Sequence, residues 1–167
     1  YTVAYNGNGA TSGTTASSSH TVGVAKELTS NGYTRAFTVT YNYNGATGGN
    51  TTGNVTATST FNGWSTSASG TKVYNDKQSV TNLTTTCNGN VTLYANSTDK
   101  SVTLPTPTKT GYTFLGWYSD SGLTKFVGNG GASYKPTGNV TLYAKWSGCN
   151  YTVAYNGNGA TSGTTAS

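Results

Sequence analysis

One histidine, His20, and four carboxylates, Glu27, Asp76, Asp99 and Asp120, are all that the chain offers for general acid–base work. Such catalysis needs titratable groups positioned together, and these stand singly. His20 follows the Ser17–Ser19 run and reads as an exposed loop residue. Asp76, in VYNDKQSV, and Asp120, in YSDSG, read as turn residues, without the oxygen-rich run of a calcium loop. Serines and threonines abound, but a nucleophilic serine needs an adjacent base and an orienting acid. The glycine-rich Gly7-Asn8-Gly9 and Gly128-Asn-Gly-Gly131 lack the spacing, following helix and lysine of a phosphate loop, and fit hairpin turns better. These residues argue against an enzyme, and they call for no cofactor and no metal.

Cys87 and Cys149 are the only cysteines. An even number in a chain of secreted composition favours a disulfide over a metal site, which would want more ligands than one remote histidine adds. A bridge closing a loop of about 60 residues would add about 4 kcal/mol in the chain-entropy model. Two free thiols, or a bridge between successive modules with Cys149 at the repeat boundary, are the alternatives.

The elements that would hold these residues are strands. The chain has 167 residues, 33% of them hydrophobic and 8% charged, with 23 Gly and 13 Tyr; globular averages are roughly 45–50% and 25%. Thr, Tyr and Val suit a pleated surface, and Asn and Gly suit turns, so the expected fold is mainly β. Strict alternation in Val140–Trp146 puts Val140, Leu142, Ala144 and Trp146 on one face. Val91, Leu93 and Ala95 repeat the pattern, and Thr2–Tyr5, Thr38–Tyr43, Val55–Phe61, Val102–Leu104 and Tyr112–Trp117 are further strand candidates. Asn-Gly pairs, from Asn6-Gly7 to Asn129-Gly130, supply tight turns. The one helix-like stretch is Val24–Ser30, stopping at Asn31-Gly32. No apolar run approaches the roughly 18 residues of a membrane span. A net charge of +5, spread singly over the lysines and Arg35, forms no cluster of the kind that grips nucleic acid. It gives at most a weak pull toward anionic cell-wall polymers or acidic glycans.

Residues 1–17, YTVAYNGNGATSGTTAS, recur without change at 151–167, a period of 150 residues. Within the period, GNVTLYA occurs at Gly89–Ala95 and Gly138–Ala144, FNGW (Phe61–Trp64) echoes FLGW (Phe114–Trp117), and FTVTYNYNG (Phe37–Gly45) echoes the opening nine residues. Both openings come first, and each FxGW then precedes a GNVTLYA. With no methionine and no signal peptide of its own, the sequence is expected to be an interior slice of a longer tandem array.

LPTPTKTGYTFLGWYSD followed by PTGNVTLYAKW, together with an opening of the YTVAYNGNG type, resembles the Listeria–Bacteroides repeat, or internalin B-repeat, of bacterial surface proteins. The first unit is a looser copy, with FNGWST for GYTFLGWYSD and no closing tryptophan. The resemblance implies β-grasp-like units in tandem on secreted or surface-anchored proteins, with no shared catalytic or ligand residue. It places Trp64, Trp117 and Trp146 at core positions, each burying on the order of 200 Å²; a Tyr/Trp carbohydrate platform is the rival role. The expected units are 1–97, 98–150, and the start of the next period at 151–167. The expected function is a structural stalk or filament module, extracellular or on the cell surface. Tyr1, Val3 and Tyr5, and their repeats Tyr151, Val153 and Tyr155, would form the inter-repeat strand and meet adjacent copies in the same chain or a neighbouring subunit. The alternative is an adhesin that binds glycan or host protein through exposed Tyr and Asn loops.

Overall fold

The computed structural model describes residues 1–165, and every regular element among them is a strand. Two sheets carry the fold. The first has the order Ser18–Ser19, Thr2–Asn6, Asn90–Thr98, Thr60–Ser65; the second has Phe126–Gly128, Tyr112–Tyr118, Val140–Gly148, Ala36–Asn42, Val55–Thr58. Both follow one plan. An opening strand lies parallel to a closing strand, Thr2 to Asn6 against Asn90 to Tyr94 in unit A, and Val39 to Asn42 against Val140 to Tyr143 in unit B. The closing strand then pairs antiparallel with the FxGW strand. The β-rich expectation holds. Two-residue ladders make up the other, smaller sheets.

The FxGW motif is a bulge. Asn62 and Leu115, its variable residues, are skipped in the pairing with the closing strands. The glycines that follow have φ of +143° at Gly63 and +114° at Gly116, where an L side chain is strained. A Cβ on Gly63 would also strike the Tyr74 carbonyl, and one on Gly116 would strike the Phe126 ring. The bulge re-aims the chain so that the next residue, Trp64 or Trp117, points inward and is fully buried.

Alternation does the rest. Val3, Tyr5, Leu93 and Ala95 close on Trp64 with Leu28 and Val80, and Val39, Tyr41, Leu142 and Ala144 close on Trp117 with Ala57, Val102 and Leu104. The two clusters share no residue. Trp146 is only partly buried and packs on the rim of the second, its indole N–H donating to the Tyr43 carbonyl at 3.0 Å.

Two expectations need correction. Val24–Ser30 is not a helix: Lys26–Glu27 pairs antiparallel with Ser79–Val80, and the Leu28 N–H donates to the Gln78 carbonyl at 3.0 Å. That ladder buries Leu28, while Val24 stays exposed. Val55–Phe61 is not one strand; it breaks at Ser59 into Val55–Thr58 of the second sheet and Thr60–Ser65 of the first. The units are consequently interleaved. The strands of the first sheet, unit A, fall in 2–19 and 60–98, and those of the second, unit B, in 36–58 and 112–148.

Candidate functional site

Interleaving makes the chain pass between the units repeatedly, and the passages converge on Arg35, Ser59 and Asp99. Arg35 precedes the opening strand of unit B, Ser59 separates strands of the two sheets, and Asp99 follows the closing strand of unit A. Arg35 grips Asp99 with two nitrogens, at 2.8 and 3.3 Å, and the Ser59 hydroxyl donates to the same carboxylate at 2.8 Å. The Ser59 N–H donates to the Arg35 carbonyl at 2.8 Å. Burial would raise the Asp99 pKa, but hydrogen bonds from Ser59 and Arg35 and the charges of Arg35 and Lys135 outweigh it and hold the carboxyl below its ordinary value. Arg35 also donates to the carbonyls of Asn8 and Gly9, just past the opening strand of unit A.

These contacts tie the end of one unit to the start of the other. The closing strand of unit A ends at Thr98, directly before Asp99, and the opening strand of unit B begins at Ala36, directly after Arg35.

The opening motif occurs three times, and its turn is the same each time. Asn8, Asn44 and Asn158 have φ of 48°, 48° and 43°, and their N–H groups donate to the side chains of Asn6, Asn42 and Asn156 at 2.8, 3.1 and 2.9 Å. This Asx geometry is written locally, because the side chain satisfies the backbone two residues on. A latch follows in the first two copies. The Asn8 amide donates to the Ala95 carbonyl at 3.0 Å and the Asn44 amide to the Ala144 carbonyl at 2.7 Å, tying each turn to its closing strand.

The strands before the turns differ sharply. Val3 is 0% exposed and Tyr5 9%, while Val153 is 58% exposed and Tyr155 63%. Tyr151 is exposed as well, and no ladder among the described residues includes 151–156. An identical segment is core in one place and bare in the other because its strand form requires a parallel partner.

The Listeria-Bacteroides repeat domain matches the sequence at 56–96 and again at 96–145, more than half of its length. The chain belongs to the Listeria-Bacteroides repeat family. Each matched repeat holds one FxGW strand and one closing strand, and both opening strands, Thr2–Asn6 and Ala36–Asn42, lie outside the matches. A matched repeat thus completes its sheet with an opening strand from earlier in the chain. Neither a curated protein nor a solved structure matches the chain.

The remaining candidate residues are not brought together. Cys87 and Cys149 are both free and exposed, which corrects the expectation of a Cys87–Cys149 bridge within the chain. Cys87 stands three residues before the closing strand of unit A, and Cys149 directly follows that of unit B. His20 is buried, not exposed: its ring stacks on Tyr1 and bonds the Ser18 hydroxyl at 2.9 Å through Nε2. Burial, then Lys26 and the Tyr1 amino group, push its pKa below the ordinary value. Asp76 binds the Asn31 N–H, and Asp120 accepts from Thr124 and Lys125 within its own turn. Sequence reasoning passed over Arg35, Ser59 and Asp99, which carry no motif. The asparagine latch was within reach, since Asn8 and Asn44 occupy the same place in YNGNG and YNYNG.

Proposed function

We propose that the chain is a structural module of an extracellular or cell-surface bacterial stalk, in which the 150-residue period repeats head to tail. Tyr151–Asn156 serves in it as the opening strand of the next unit. The observation that carries this reading is the contrast between Val3, at 0% exposed, and Val153, at 58%, in identical sequence. Residues 151–156 have the pattern of a core strand and the preformed turn at Asn158, and need only a closing strand beside them. The direct succession of units A and B supports it too, because the opening strand of unit B begins right after Arg35, which grips Asp99 at the end of unit A's closing strand. Family membership supports the tandem surface setting. The role is mechanical rather than catalytic; Asp76, Asp99 and Asp120 are each spent on a turn or a joint. Small-angle X-ray scattering on chains of one, two and three periods tests the reading: the maximum dimension should grow by a constant increment per period, and collapse into a particle of nearly constant breadth would refute it.

A further inference from the structure

We infer that the chain is a tension-bearing link that lengthens in two stages, a short release followed by a long one, because each unit resists in shear and each closes a loop of chain that belongs to the other. The inference rests on the proposed stalk only for the source of the tension.

Strand direction supplies the resistance. In unit A, a pull on Tyr1 acts at the start of Thr2–Asn6. The passages to unit B leave from the opposite end of that sheet: Thr98 ends the closing strand, Thr60 pairs with it, and Arg35 grips the next residue, Asp99. Because Thr2–Asn6 and Asn90–Tyr94 are parallel, the two loads draw them past each other along their length. Unit B repeats the arrangement. Ala36 and Thr58 are paired at the joint, and Gly148 ends the closing strand that lies parallel to Val39–Asn42. A parallel ladder has evenly spaced hydrogen bonds. Sliding strains them together, whereas peeling from one end would strain them one at a time. A slip of one residue would also turn Val3 and Tyr5, or Val39 and Tyr41, out of the cores they fill.

Chain order supplies the stages. Among the described residues, every ladder joins 1–35 with 60–98, joins 36–58 with 102–148, or lies within one of these segments. Residues 36–58 are thus a loop whose ends are held by unit A, and 60–98 a loop whose ends are held by unit B. If unit A yields first, only 1–35 is freed, about 120 Å at full extension, since unit B keeps the 60–98 loop out of the loaded path. Failure of unit B then frees 36–148, about 390 Å. If unit B yields first, 99–148 gives about 170 Å and the later failure of unit A about 340 Å from 1–98. Either order puts the short step first. Units laid one after the other, divided at 97/98, would release about 340 and 170 Å in either order.

The test is to stretch single molecules of the full chain, held at the amino terminus and at the exposed thiol of Cys149, with Cys87→Ser leaving one attachment point. The expected trace has two discrete steps, the short one always first. Flexible Gly-Ser inserts after Gly53 or after Thr85, both exposed, should each lengthen the last step alone, whichever unit yields first. The unaltered chain pulled through its native Cys87 and Cys149 should give one step of about 170 Å. That load runs along Asn90–Thr98 without crossing the parallel ladder of unit A. The inference is overturned by smooth lengthening without steps, by one step that frees both units together, by a long step before a short one, or by an insert that lengthens the first step. Two ordered steps from a chain whose scattering fails to grow with period number would sink the stalk and leave the two-stage release standing; growth without the ordered steps would sink the release alone.

Discussion

Arg35 and Asp99 form an ion pair of 2.8 Å, which fastens the end of unit A's closing strand to the residue that opens unit B. Both side chains are partly buried, and Ser59 donates to the same carboxylate, so the pair is better insulated than a surface salt bridge. Asp99→Asn should weaken the coupling between units by on the order of 1.5–3 kcal/mol, the range for hydrogen bonds to a charged group. Because the folded pKa of Asp99 lies below its ordinary 3.8, its contribution is complete above that value and fades as pH falls through it. Hydrogen exchange across 34–36 and 58–60 should rise in the variant. Urea melts should show units A and B separating into two transitions, and a single unshifted transition would contradict this.

His20 gives the opposite end of unit A its own pH dependence. Its folded pKa is held below 6.5, mainly by burial, so the unfolded chain takes up the proton first. The sign follows: stability is whole above 6.5 and declines as pH drops through that value toward the folded pKa. His20 lies under Tyr1, and the Tyr1 amino group donates to the His20 carbonyl at 2.9 Å. The loss should therefore show first as faster amide exchange in Thr2–Asn6 between neutral and mildly acidic pH. His20→Gln should flatten that dependence; an unchanged slope would mean another group is responsible.

Much of this fold could be read from alternation, since Leu142 and Ala144, and Leu93 and Ala95, fall on the buried face that their spacing indicates. What could not be read is which strand belongs to which sheet. Val55–Phe61 has one unbroken β-rich pattern, and only Ser59's bonds to Arg35 and Asp99 reveal that the chain changes sheets there. Parallel partners such as Thr2 and Asn90 are separated by most of a unit, so no local pattern links them. The helix-like look of Val24–Ser30 failed for a related reason. Seven residues are too few to fix a 3.6-residue period, and the distant Ser79–Val80 decides the outcome. The asparagine turns, by contrast, are local, and they form at Asn158 even without a strand partner.

The two central tryptophans offer a paired comparison. Trp117 donates its indole N–H to the Pro105 carbonyl at 2.8 Å, whereas the equally buried Trp64 indole N–H has no partner among the described residues. Replacement by Phe removes similar apolar area from each core. At Trp117 it also strands a buried carbonyl, which costs about 1–3 kcal/mol, while at Trp64 it removes an unsatisfied donor. Trp117→Phe should thus lower the stability of unit B by more than Trp64→Phe lowers that of unit A. Separate chemical melts followed by exchange in Val140–Gly148 and Asn90–Thr98 would measure both, and equal losses would refute the hydrogen-bond account.

Val3 and Val153 allow one substitution to be made twice in the same seventeen-residue sequence. Val3→Asp puts a carboxylate at a position with no solvent exposure, packed among Tyr5, Leu93 and Trp64. The penalty for an uncompensated buried charge is on the order of 3–5 kcal/mol, enough to expel Thr2–Asn6 from its sheet. Val153→Asp changes a residue that is 58% exposed and should leave the melting of the monomer within about 0.5 kcal/mol of the parent. Local sequence is identical in the two cases, so propensity and turn chemistry cancel, and the difference isolates what the closing strand contributes. Protection at Asn90–Thr98 should fall in the first variant only, while Val140–Gly148 keeps its protection in both, because the second sheet contains neither valine. Equal destabilisation by the two substitutions would mean that 151–156 is already packed like 1–6, and the distinction between a seated and a waiting opening strand would be lost.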